Sequence, residues 1–270
     1  MVREQHLVSE SEVRNRVVAA YGAHPSSQIL LVLPAREDSS SLRDFLGHEG
    51  FTVEWEMRPS VALRRATAGP VGLVVLDVVD PSIDGMGVLR KLRIEYSVPV
   101  LAITEAHDPE TRISALELGA DGCVMRPWNG HELAARIRAV LRRSKPLADA
   151  DQRRIEHNGV ILDRGSREVH VEGRKVVLTT TEFDVLDILM RSAGSPVSRE
   201  AVIHKLYNRA ATGFDRSINV HVSNLRRKLE SRRVLIKAVR GTGYQFCLPD
   251  PASEVLDSES GLAFESTGIL

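Results

Sequence analysis

From residue 28 onward, short apolar runs alternate with stretches whose apolar positions recur every three or four residues. "QILLV", "FTVEW", "VGLVVL", "VPVLAI" and "GCVM" read as strands, the third and fourth apolar enough to be buried on both faces. The helical patterns between them carry start signals. Asp108 is an N-cap followed by Pro109 at the first helical position, and Asn129 is a cap with Glu132 as its reciprocal partner. "HELAARIRAVLRR" then sets Leu133, Ile137 and Leu141 on one stripe. Five alternations over 28–143 predict an α/β doubly wound (βα)5 domain, whose ligands sit at the carboxyl ends of its parallel strands. Asp77 falls at the end of the third strand.

At 144–152, "SKPLADADQ" is polar and aperiodic and reads as a linker. The rhythm then changes. "GVILDRGSREVHVEGRKVVL" has the short alternating runs of a small antiparallel sheet. Thr179 and Glu182 form a capping box ahead of a helix that buries Phe183, Leu186 and Leu189. Ser198 caps a second helix, "REAVIHKLY", and Asp215 a third, "RSINVHVSNLRRKLE". "VLIKAVRGTGYQFCL" reads as two strands around Gly241–Thr242–Gly243. Residues 153–248 are therefore expected to form an α+β winged helix-turn-helix. Residues 1–27 read either as a short helix, with Ser9 and Glu12 at capping-box spacing, or as disorder. The acidic tail, 249–270, reads as disordered.

Composition sharpens this division. The net charge is zero, yet residues 152–248 carry 18 Lys and Arg against 10 Asp and Glu, while 249–270 carry five acids and no base. The basic segment suggests a polyanionic partner. Cys123 and Cys247 make no motif and fit a reducing compartment. There is no signal-like apolar run and nothing as long as the roughly 18 apolar residues of a membrane span, so a cytoplasmic protein without a membrane partner is expected. No nucleophile–base set, HExxH run or phosphate-binding GxxxxGK[ST] loop occurs, which argues against an enzyme.

In the third helix of the basic segment, Ile218, Val222, Leu225 and Leu229 make a core-facing stripe. The other side presents Arg216, Asn219, Ser223, Asn224, Arg227 and Lys228, with His221 and Arg226 on the flanks. Such a face suits a major groove, with the cations on phosphates and an asparagine on adenine edges. Arg240, beside the glycine turn, is placed to enter the adjacent minor groove. Double-stranded DNA is the expected partner.

"LTTTEFDVLDILMRSAGSPVSREAVIHKLY", "DRSINVHVSNLRRKLE" and "IKAVRGTGYQF" resemble the effector domain of OmpR/PhoB-type response regulators over most of 155–248. The resemblance implies DNA contacts at His221, Asn224, Arg227 and Arg240, and contact with RNA polymerase through "NRAATGF" between the second and third helices. The family often has a basic residue where Asn224 stands, so its preferred base sequence is expected to differ.

Residues 28–143 resemble the same family's receiver domains. That implies phosphoryl transfer from a histidine kinase to an aspartate, with a divalent cation between two anionic groups. Asp77 matches the acceptor, Thr104 the threonine that hydrogen-bonds the phosphate and Pro127 the proline after the lysine. The other positions depart from the pattern. Leu33 and Pro34 stand where the metal-holding acid pair belongs, and Glu37 and Asp38 cannot be displaced copies, because the spacing to Gly50 and Phe51 leaves no room. Arg126 replaces the lysine, where it could clamp Asp77 in a bidentate pair, and Cys123 replaces the aromatic relay residue. No cofactor is expected, since the ligand set falls short of what Mg²⁺ uses. The receiver is thus expected to be atypical.

The family's receivers pair through their fourth helix, fifth strand and fifth helix. Arg112, Glu117, Asp121, Glu132, Arg136 and Arg138 match that face, with Arg112–Glu132 and Glu117–Arg138 as cross-subunit pairs, while Gly122 replaces a common acid. The resulting expectation is a receiver-paired homodimer that regulates transcription without conventional phosphorylation of Asp77. Two alternatives stay open: a kinase-driven switch using Asp77, and a small-molecule or protein sensor built on the degenerate pocket.

Overall fold

The computed structural model describes residues 28–35, 37–144, 153–207, 217–229 and 234–249. The extension 1–27, the linker after Ser144, the 208–214 loop, Asp215, Arg216 and the tail after Pro249 lie outside the described residues.

The first domain runs β1 (Gln28–Val32), α1 (Glu37–His48), β2 (Thr52–Glu56), α2 (Pro59–Ala68), β3 (Leu73–Asp77), α3 (Gly85–Glu95), β4 (Val100–Glu105), α4 (Pro109–Glu117), β5 (Gly122–Arg126) and α5 (Gly130–Arg143). Its five strands are parallel, as the alternation predicts, and lie in the order β2-β1-β3-β4-β5. β3 is buried at every position, so it reads as a continuous apolar run. Alternate residues of β1 serve two cores. Ile29, Leu31 and, just past the strand, Leu33 pack with α1 and α5, whereas Leu30 and Val32 pack with α2 and α3. The order reverses between β1 and β3, which opens a crevice at their carboxyl ends, where Asp77 and Leu33 lie. Gly85 lets α3 approach closely there: a Cβ would sit 1.9 Å from the Asp77 carbonyl oxygen.

Local signals hold. Asp108 accepts from the Thr111 N–H at 2.9 Å, and Asn129 accepts from the His131 N–H at 2.9 Å. Glu132 does not return to its cap, because Arg136 one turn on draws its carboxylate at 2.7 Å.

The second domain opens with the antiparallel sheet β6 (Arg154–His157), β7 (Val160–Asp163), β8 (Glu168–Val171) and β9 (Arg174–Val176). There follow α6 (Thr180–Met190), β10 (Val197–Ser198), α7 (Arg199–Tyr207), α8 (Ser217–Leu229), β11 (Ile236–Val239) and β12 (Gly243–Phe246). The hairpin gains a third strand, since β10 pairs with β12; two residues are too few to show a period in the sequence. The α8 stripe of Ile218, Val222, Leu225 and Leu229 is buried. No helix among the described residues is long and apolar enough to cross a membrane.

The box at α6 is complete: Thr179 Oγ1 accepts from the Glu182 N–H at 3.3 Å, and Glu182 accepts from the Thr179 N–H at 2.8 Å. Thr179→Ala is expected to lower stability by about 1 kcal/mol, read from urea unfolding of the full chain.

Candidate nucleic-acid interface and receiver pocket

At the carboxyl end of β3, the Asp77 side chain is fully buried and every bond it makes comes from a donor. Oδ1 accepts from the Val79 and Asp80 N–H groups, each at 3.0 Å, and Oδ2 accepts from Arg126 Nη2. Arg126 ends β5 in register with Glu105 at the end of β4, and its Nη1 lies 3.3 Å from that carboxylate. The fork therefore bridges two acids instead of clamping Asp77 bidentately, and its plane lies 5.0 Å from the centre of the Trp128 ring.

The positions of the missing acid pair are closed. Leu33 is a core residue whose carbonyl accepts from Trp55 Nε1 at 2.9 Å, and the buried Pro34 gives its carbonyl to Ser39 Oγ at 2.8 Å. Neither offers a side-chain oxygen. With Asp77 already bonded at both oxygens, these residues do not fit a hard divalent cation. No group of three His, Cys, Asp or Glu side chains among the described residues is arranged to hold a metal. Thr104 is fully buried, and its hydroxyl has no hydrogen-bond partner among the described residues. The Cys123 thiol is 3.8 Å from the Arg112 carbonyl, and burial pushes it up to about 12, against the pull of Arg112 and Arg136. It therefore rests as a thiol at neutral pH, which slows oxidation. A cavity of about 500 Å³ opens beside this crevice, lined by Ser41, Leu42, Phe45, Arg126, Pro127, Trp128 and Gly130.

On the basic face, Arg227 and Arg240 are exposed, Arg240 at the tip between β11 and β12. Asn219 is held by Tyr244 Oη at 2.7 Å and Arg199 Nε at 3.3 Å. Lys228 turns back to Glu182 at 2.6 Å. Arg216 lies outside the described residues. His221 and Asn224, expected to face DNA, are buried instead. In this conformation they face the first domain, because α8 lies across α4.

That junction is built from exchanged helix caps. Asn224 Nδ2 donates to the Leu116 and Glu117 carbonyls at 3.1 and 3.3 Å, at the end of α4, where the Leu116 carbonyl also accepts from the Gly119 N–H at 3.0 Å. Asp121, just before β5, does the converse at α6. Its Oδ1 accepts from the Thr181 N–H at 2.8 Å, in the first turn where N–H groups are unpaired and a carboxylate suits the dipole. Thr181 Oγ1 also donates to the Asp121 carbonyl at 2.9 Å. Asp121 Oδ2 meanwhile accepts from the Val100 N–H at 2.9 Å and Arg93 Nη2 at 3.0 Å, which fixes it to its own domain. A second contact brings Arg143 Nη1 within 3.2 Å of Asp184, which Arg167 holds from the other side at 2.9 Å.

The residues expected at a pairing face divide accordingly. Asp121 lies in the junction, and Glu117 gives its carbonyl to it while staying exposed. Glu132 pairs with Arg136. Arg138 bonds Glu49 at the end of α1, so its guanidinium is engaged away from Glu117. Arg112 Nη1 lies 3.6 Å from Met125 Sδ. Arg93, Arg143, Arg167 and Asp184 were not singled out by sequence, since a contact between domains leaves no period along the chain.

Two family models match the chain: response regulator receiver domain over residues 32–138, and transcriptional regulatory protein, C terminal, over 173–246. The chain is 38% identical over 226 residues to the transcriptional regulatory protein CpxR of Klebsiella pneumoniae, covering 81% of this chain and 97% of that protein. It is 34% identical over 224 residues to the response regulator ArlR of Staphylococcus aureus, covering 81% and 98%. Among solved structures, a RitR mutant superposes with a TM-score of 0.66 at 22% identity, covering 81% of this chain and 98% of that one, a likeness of fold alone.

Proposed function

Because the chain belongs to the OmpR/PhoB family of DNA-binding transcriptional response regulators, we propose that it regulates transcription in the cytoplasm without conventional phosphorylation of Asp77. It acts as a DNA-binding protein and not as an enzyme. The observation that carries this reading is the sealed crevice: Asp77 is bonded at both oxygens, and Leu33 and Pro34 occupy the places from which a cation would be held. Without that cation, an incoming phosphoryl group meets a buried carboxylate and no neutralising charge beyond an arginine already bridging two acids.

In the active form, Arg216, His221, Asn224, Arg227 and Lys228 contact the major groove and its phosphates, and Arg240 enters the minor groove. Receivers pair through the α4–β5–α5 face, raising the effective concentration of the second winged helix on an adjacent half-site, and RNA polymerase docks on the 208–214 loop. α4 also holds α8 through Asn224, and Asp121 holds α6 beside it, so pairing and the closed junction compete for one surface. The protein is on this reading masked at rest, and pairing follows release of α8. A second reading rests on the cavity beside Arg126: a ligand there would touch the residue that holds Asp77.

The test compares wild type with Asp77→Ala, each with and without a small phosphoryl donor and Mg²⁺, on DNA flanking the protein's own gene. Four coincident, salt-dependent binding curves are expected. Binding confined to phosphoryl-treated wild type would return the protein to a kinase-driven scheme.

A further inference from the structure

Within the junction, His221 stands apart from its neighbours. It is fully buried on α8, and neither ring nitrogen has a hydrogen-bonding partner among the described residues. Buried polar atoms are ordinarily partnered, and a buried imidazolium needs an acceptor at each nitrogen. Four charged groups act on the ring: Glu182 of α6, Asp121 before β5, Arg143 at the end of α5, and Lys228 on α8 itself. Asp121 is bonded at both oxygens within the junction. Glu182 Oε2 is shared by the Thr179 N–H and Lys228, and Oε1 makes no hydrogen bond to the ring. The two cations oppose a third positive charge.

We propose that His221 makes the junction a proton-sensitive latch: the closed arrangement holds the imidazole neutral, and protonation favours the open arrangement that frees α8 for DNA. The inference rests on the reading that the closed junction masks α8. Its sign follows from linkage. Burial holds the closed-state imidazole below its ordinary value, reinforced by Arg143 and Lys228 and opposed by Glu182 and Asp121. An open, hydrated ring titrates near about 6.5. The closed state thus binds fewer protons. Its stability is intact above about pH 6.5 and falls as the pH drops from there towards the depressed closed-state value. Between pH 7.5 and 6.0 the open population is expected to rise about fourfold relative to the closed. Asp184, raised by burial despite Arg143 and Arg167, gives a slope of opposite sign. A His221 variant therefore has to isolate the imidazole's share.

The Thr181 amide reports opening directly, because its acceptor is Asp121 across the junction. Its hydrogen exchange in the full chain, corrected for intrinsic pH dependence, is read by NMR at pH 7.5 and 6.0. Protection is expected to fall about fourfold in wild type and to stay level in His221→Phe, which fills the site with a ring that cannot titrate. Level or rising protection in wild type overturns the latch, rising protection meaning that Glu182 captures the imidazolium. So does an equal fall in His221→Phe. Asp121→Asn separates the two ideas. If its DNA affinity at pH 7.5 equals that of wild type, the masking reading fails. If its affinity rises while wild-type protection ignores pH, the latch alone fails.

Discussion

Asp121→Asn is expected to bind DNA about 10- to 100-fold more tightly than wild type at neutral pH, and to melt at a lower temperature, because the buried Arg93 loses its ion-pair partner. Every partner of this carboxylate is a donor: Val100 and Arg93 in its own domain, Thr181 in the other. An amide can keep its oxygen towards Val100 and Arg93 only by turning its NH₂ against the Thr181 N–H. The receiver keeps its internal hydrogen bonds, and the junction loses a charged hydrogen bond of about 1.5–3 kcal/mol. Apparent affinity scales with the competent fraction, so that loss appears as tighter binding as long as the closed state predominates. Fluorescence anisotropy on DNA flanking the gene measures it, with Arg227→Ala as a variant expected to weaken binding at every salt concentration. An Asp121→Asn protein that folds normally and binds like wild type would mean that α8 is not masked.

The fold was legible in the sequence wherever one element decides the matter. Asp108, Asn129, Thr179 and Ser198 cap through the first turn of their own helices, and the Ile218–Leu229 stripe needs only helical periodicity. The crevice was legible as well, because the absence of oxygen at Leu33 and Pro34 does not depend on geometry. What sequence could not supply was the direction of long polar side chains. Arg126 spreads its fork because strand register sets Glu105 beside it. Asp121, His221 and Asn224 have the residue types of a pairing face and a reading face, and nothing in the one-dimensional pattern distinguishes a surface covered by DNA or a second receiver from one covered by the chain's own other domain.

Arg126→Ala is expected to destabilise the protein by about 3–5 kcal/mol, the usual loss when one partner of a buried ion pair is removed. Asp77 keeps its two backbone donors on Oδ1, but Oδ2 is left charged inside a fully buried site. Asp77→Ala should lose less, since Arg126 is 14% exposed and retains Glu105 and the face of Trp128. The double variant should be more stable than Arg126→Ala alone, giving a large coupling in a double-mutant cycle by urea unfolding. A deficit under about 1 kcal/mol would mean that water or another donor replaces Arg126. Asp77 would then be open to chemistry after all.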